Sequence, residues 1–176
     1  MDHLIEPAAS GRAKCRGCGQ KLEKGAVRFG ERFPNPFGEG LATHWYHPAC
    51  AAFKRPQPFL EALGAVAAAL GDVAELEREA RLGIEHRRVP RVDGAGRAPT
   101  GRARCRACRR PLAKQAWRIG LVFYEDGRFQ PAGYVHTGCA ADYFGTVALM
   151  PRIRRFAPVL NEADFTAIEA EMGTPA

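Results

Sequence analysis

The sequence predicts small α+β modules, two in tandem, each a β-hairpin or short antiparallel sheet followed by helix. Three observations carry this reading. Residues 11–20 (GRAKCRGCGQ) return as 101–110 (GRARCRACRR), and laying 11–30 over 101–120 gives eleven identities in twenty. Further on, HPACAA at 47–52 aligns with HTGCAA at 136–141. Each copy therefore reads Cys-x2-Cys, then 28 or 27 residues, then His-x2-Cys. Two copies this long make a duplicated module and not a solenoid.

Taken in chain order, GAVRFGERF at 25–33 reads as a strand and LATHWYH at 41–47 as its return. Phe59, Leu63, Val66 and Leu70 then recur at helical spacing. Asp72 with Glu75 has the spacing of a helix start, and Gly83 that of a helix end. These helices are acidic on their polar face. Residues 84–100 hold glycine, proline and arginine without periodicity and read as a flexible linker. The domains expected are thus 1–83, a linker at 84–100, and 101–176. In the second copy Asp126-Gly127 inside AWRIGLVFYEDGRF is a hairpin signal. Asn161 with Asp164 opens a last helix that turns Phe165 and Ile168 inward.

The ligand pattern points to metal. Zinc takes four N or S ligands at tetrahedral corners. Cys15, Cys18, His47 and Cys50 supply one set; Cys105, Cys108, His136 and Cys139 supply the other. Each tight turn reaches two corners, and the intervening hairpin brings the pairs together. All six cysteines are used. Disulfides and unliganded core thiols are the competing readings; clustered cysteines in a reducing compartment more often hold metal. His44 lies near enough to compete with His47. The spacing to Cys50 matches that of His136 to Cys139, so His47 and His136 are assigned, and His44 is left for another role or the surface. His3 and His86 read as exposed. Four protein ligands leave no open position, so both Zn2+ ions are structural. Modules of this size have little core of their own, so the metal supplies much of their folding free energy.

The 176 residues carry a formal net charge of +7. Binding two Zn2+ by six thiolates leaves the chain positive, which favours an anionic partner. A basic surface kept for solubility explains the charge equally well. No apolar run is long enough to span a membrane. MDHLIEPAAS lacks the apolar stretch of a secretory leader. The expected compartment is the cytoplasm, at the nucleoid in a bacterium or the nucleus in a eukaryote. Between 100 and 118 stand seven basic residues and no acid; between 10 and 28 stand six, with Glu23 the one acid. Arginine grips phosphate bidentately. Nothing resembles a recognition helix reading base edges.

The ligand pattern, the GRAxC lead-in and HWYHPAC together resemble the PARP-type zinc finger, found in poly(ADP-ribose) polymerases and one class of DNA ligase. The resemblance covers roughly 8–58 and 98–144, with Tyr134-Val135 where the first copy has Trp45-Tyr46. It implies recognition of DNA strand breaks by structure and not by sequence: nicks, gaps and ends gripped through phosphate and capped by base stacking. By position, it implies phosphate contacts for Arg12, Arg28, Arg102 and Arg118. It implies stacking for Phe37 and Leu41 in the loop before His47, and for Phe129 and Val135 in the second copy. The family's apolar positions align with Gly38 and Ala42, one place from Phe37 and Leu41. Trp45 reads as core.

About 80 residues remain outside the fingers, with no Walker A loop, G-x-S-x-G or paired His/Asp constellation. The expectation is a stand-alone strand-break sensor or repair accessory without a catalytic domain. DNA is its partner, a repair enzyme performs any reaction, and no membrane or small-molecule substrate is involved. The rival readings are a zinc-stabilised protein adaptor and a binder of structured RNA.

Overall fold

The computed structural model describes residues 2–35, 38–66 and 70–173. The chain divides into two compact units, Met1–Glu85 and His86–Ala176. Each is built on a three-stranded antiparallel sheet with its strands in sequence order.

In the first unit the strands are β1 (Leu4–Pro7), β2 (Val27–Pro34) and β3 (Leu41–Tyr46). Side chains alternate across β2, as a strand requires. Phe29 faces the core, edge-on to Phe59 at 5.7 Å and beside Tyr46 at 6.1 Å. Arg28 and Gly30 face the other way, where Trp45 stands opposite Gly30 in the register. A Cβ at Gly30 would lie 2.6 Å from the indole, so glycine is what lets the ring lie across the strand. The core aromatic of HWYH is therefore the fully buried Tyr46, and Trp45 belongs to the outer face. His3 is likewise not exposed. Its side chain packs on Phe29, Nδ1 accepts from the Arg32 amide at 3.1 Å, and Nε2 lies 3.5 Å from Glu61.

Three helices close this unit: α1 (Pro48–Lys54), α2 (Pro56–Val66) and α3 (Val73–Glu85). Proline opens α1 and α2, where a missing amide costs nothing. Phe59, Leu63 and Leu70 are buried as their spacing predicts. The Val66 side chain and residues 67–69 lie outside the described residues. The Asp72 carboxylate accepts from the Glu75 amide at 3.1 Å and caps α3. Gly83 does not end that helix; it is buried within it, and α3 runs on to Glu85. Arg55, just past α1, donates to both carboxylate oxygens of buried Glu31 on β2, which ties helix to sheet.

The stretch 84–100 is not a linker. A 3-10 turn at Val89–Arg91 leads into β4 (Val92–Arg97), and Val89 and Val92 are buried in the core of the second unit. Gly94 has φ +85°, and a Cβ there would lie 2.6 Å from the Phe156 carbonyl oxygen, so β4 is pressed against the chain behind it. β5 (Trp117–Glu125) and β6 (Arg128–His136) follow. Asp126 and Gly127 join them with φ 49° and 75°. Both angles are positive, as the two-residue turn matched to strand twist demands.

After a 3-10 turn at Thr137–Cys139 come α4 (Ala140–Phe144), α5 (Met150–Phe156) and α6 (Glu162–Met172). Asn161 accepts from the Asp164 amide at 3.0 Å, and Asp164 accepts from the Asn161 amide at 3.2 Å. This reciprocal cap is the one the sequence predicts, and Phe165 and Ile168 are buried behind it. His86 is half-buried against Gly145, and not exposed as its sequence context suggests.

Candidate metal centres and nucleic-acid interface

Each unit gathers four ligand atoms at one end of its hairpin. In Cys15, Cys18, His47 and Cys50, and again in Cys105, Cys108, His136 and Cys139, those atoms all lie within 4.8 Å of one another. Cys15 and Cys18 sit on a tight knuckle: the Cys15 amide donates to Gln20 at 2.8 Å and the Gly19 amide to Cys15 at 2.8 Å. The second knuckle repeats this, with the Cys105 amide on Arg110 at 2.9 Å and Arg109 on Cys105 at 3.0 Å. One further bond docks each knuckle on the hairpin, from Arg16 to the Trp45 carbonyl at 2.9 Å and from Arg106 to that of Tyr134 at 2.8 Å.

The geometry fits zinc. Zn–S near 2.3 Å and Zn–N near 2.0 Å require S···N edges of about 3.5 Å in a tetrahedron. Cys18 Sγ lies 3.4 Å and Cys50 Sγ 4.0 Å from His47 Nδ1. Cys108 Sγ and Cys139 Sγ lie 3.4 and 3.8 Å from His136 Nδ1. With Nδ1 turned to the sulfurs, the ring proton of His136 sits on Nε2 and is donated to the Pro111 carbonyl at 3.2 Å, which fixes the ring. Amides of His47 and His136 donate to Cys15 and Cys105 Sγ at 3.4 Å and support thiolate charge.

Proton affinities point the same way. Hydrogen bonding to the Arg110 amide brings Cys108 down to about 7. Burial, with the charge of Cys105 beside it, pushes Cys139 up to about 12. In the first cluster the hydrogen bond between them raises Cys15 and lowers Cys18. Three thiols this close cannot all ionise without a cation among them. Two structural Zn2+ ions, one per unit, satisfy both clusters; they hold the folds and leave no position open for chemistry. His44 is not among the ligands: it packs on Phe33 at 4.3 Å, and burial lowers its pKa.

Beside each knuckle lies a cleft. The first, of about 490 Å³, is lined by Lys14, Arg16, Gly19 and Trp45 among others; the second, of about 340 Å³, by Arg104, Arg106, Arg109 and Tyr134. The arginines named from the sequence divide by environment. Arg12 and Arg102 are exposed. Arg118 is half-buried, with its guanidinium 3.5 Å from the Tyr134 ring centroid. Arg28 makes the equivalent stack on Trp45 at 3.5 Å, but it is 9% exposed and its Nη2 donates to Glu6 at 2.6 Å.

Of the residues named for stacking, Leu41 is 47% exposed, and Phe129 is half-buried against Tyr124 at 4.9 Å. Phe37 lies outside the described residues. Val135 is fully buried in the second core and has no face to offer a base. Sequence reasoning missed Glu6 and the partnership of Arg28/Arg118 with Trp45/Tyr134. The signal was present in the alternation of the strands, which sets Arg28 and Trp45 on one face.

Fold and ligands together define tandem zinc-binding modules of the Cys3His kind. Residues 6–87 match the family described as "Poly(ADP-ribose) polymerase and DNA-Ligase Zn-finger region". Among similar proteins, poly [ADP-ribose] polymerase 1 of Gallus gallus is 40% identical over 67 residues, 36% of this chain and 7% of that one. Its counterpart in Danio rerio is 36% identical over 58 residues, 32% of this chain and 6% of that one. Poly [ADP-ribose] polymerase of Drosophila melanogaster is 26% identical over 140 residues, 71% of this chain and 14% of that one. The last match is longer than either unit and takes in parts of both. The chain thus spans a small fraction of these enzymes, and the family match is to their zinc-finger region. Among the described residues no helix is long and apolar enough to cross a membrane.

Proposed function

We propose that this protein binds DNA through its two zinc fingers, without regard to sequence, at nicks, gaps and ends. It acts as a strand-break sensor or repair accessory at the chromosome, and a repair enzyme performs the chemistry. The observation that carries the reading is the cationic, aromatic-walled cleft beside each zinc knuckle, in a chain whose first finger matches the zinc-finger region of poly(ADP-ribose) polymerase and DNA ligase. Arginines placed this way suit phosphate. Exposed apolar side chains at the hairpin ends, such as Leu41, suit the face of an unpaired base. An intact duplex offers no such face, so affinity should favour the break. Two fingers on one chain raise each other's local concentration, so avidity follows when each takes one side of the break.

The test is fluorescence anisotropy of the zinc-loaded protein with a nicked hairpin DNA and with the same hairpin sealed, near physiological salt. Preference for the nicked form, abolished by chelation and weakened by Arg12→Ala/Arg102→Ala, supports the reading. Equal affinity reduces it to general DNA binding. No binding to either DNA removes it.

A further inference from the structure

We propose that the C-terminal helix latches the second zinc: Glu171 on α6 is a positioning residue that accepts from the Thr137 hydroxyl and so fixes the turn carrying His136 and Cys139. The inference concerns metal retention and stands apart from what the fingers bind.

The two His-x2-Cys turns are built differently. In the first, Pro48 follows the histidine and opens α1, and Cys50 sits in the first turn of that helix. The Ala51 amide donates to the His47 carbonyl at 3.0 Å, so ordinary helix bonding holds both ligands. In the second, Thr137 and Gly138 separate the ligands, and the turn is a 3-10 segment of three residues, with α4 starting only at Ala140. Such turns bond less well than an α-helix, and glycine adds backbone freedom. This ligand pair therefore gains most from a fixing contact elsewhere in the chain.

Glu171 supplies it from 34 residues away. Thr137 is 1% exposed, and its Oγ1 donates to Glu171 Oε2. A buried hydroxyl must find an acceptor, and a carboxylate makes the bond charge-assisted. The acceptor is held firmly: α6 is capped at Asn161, and Phe165, Ile168 and Met172 pack in the same core as Cys105 and Cys139. Helix electrostatics point the same way. The last turn of α6 carries Glu169 and Glu171 and no basic residue, although the negative end of a helix disfavours acids. Glu171 stands at that end against the dipole, and its bond to Thr137 offsets the cost. Pro48 has no hydroxyl to give, so the first finger cannot be latched this way. Whatever lifts α6 from Thr137 frees the second zinc and spares the first.

The test is zinc release from the full zinc-loaded chain into excess EDTA, followed by real-time NMR. The His47 and His136 amides each donate to a cysteine sulfur of their own cluster, so their resonances report the two sites separately. Thr137→Val and Glu171→Ala should each speed release from the second site about tenfold and leave the first site's rate unchanged. Thr137→Ser keeps the hydroxyl and should stay within about twofold of wild type. The double variant Thr137→Val/Glu171→Ala should release zinc no faster than either single one, because both remove the same bond. Glu169→Ala takes an equal charge from the same helical turn and should change nothing. An unchanged rate in Glu171→Ala, effects that multiply in the double variant, or equal acceleration by Glu169→Ala overturns the inference. Should Thr137→Val fail to fold, Glu171→Ala against Glu169→Ala decides the matter alone, since both side chains are exposed.

Discussion

The two fingers share their ligands, their strand order and their knuckle hydrogen bonds, yet they solve three backbone problems differently. At φ near +70° the first uses Gly19 and Gly25, and the second uses Arg109 and Gln115. Inside the knuckle the first has Gly17, where a Cβ would meet that of Cys50 at 2.9 Å; the second accommodates Ala107. The leading strand of the first carries Glu6 against Arg28, and that of the second carries Gly96 against Arg118. Once duplicated, the copies kept what zinc requires and diverged wherever strain or charge could be traded. The metal tolerates this because it anchors both ends of the hairpin, whatever the turns cost.

The largest effect comes from removing the anchor from one copy. Cys105→Ser should unfold the second unit and leave the first standing, seen as loss of one set of amide resonances. If both sets vanish, the units do not fold independently. Acid should act on both clusters, because protons and zinc compete for the same sulfurs. With Cys139 at about 12 and Cys15 raised, thiols protonated at neutral pH must give up protons to the metal. Zinc binding near pH 7 therefore releases protons, measured calorimetrically in buffers of different ionisation enthalpy. The stability that zinc confers is present at neutral pH and lost as pH falls.

A smaller effect sharpens the comparison of knuckles. Gly17→Ala should destabilise the first finger by about 1–3 kcal/mol, because the added methyl must displace Cys50, a ligand. Competition with a chelator should show weaker zinc retention in that unit alone. Ala107→Gly should leave the second cluster's zinc retention nearly unchanged. The smallest effect expected is a gain. Gln115→Gly relieves the positive φ, partly offset by added freedom of the unfolded chain, for about 0.5 kcal/mol net. The second unit should melt about 2–4 °C higher; the same glycine is already native at position 25.

What was legible in the sequence was local or chemical. The eight ligands, the Asp126-Gly127 turn and the Asn161 cap each follow from a few neighbouring residues whose chemistry admits few alternatives. β1 and β4 were not legible because they are short edge strands, paired with residues twenty or more positions away, and four of the six residues of β4 are glycine or charged. Reading 84–100 as a linker failed for that reason: its burial comes from distant partners in α5 and β5 and not from its own pattern. Trp45 and Tyr46 show a second limit. Alternation says that they face opposite ways, but only the packed core says which way is in. Arg28 shows a third. Its spacing matched Arg118, yet its electrostatic state is set by Glu6, a residue outside the repeated segment.

The chain has two tryptophans, and the fold assigns one to each unit in unlike surroundings. Trp117 is 3% exposed within the second core, and Trp45 lies half-buried on the outer face of the first sheet under Arg28. The molecule therefore carries its own pair of optical labels. Blue-shifted emission reports the integrity of the second unit, and the redder emission of Trp45 reports whatever settles on the first sheet's open face. Replacing either tryptophan with phenylalanine isolates the other signal, so events at the two fingers can be timed separately in one unlabelled chain.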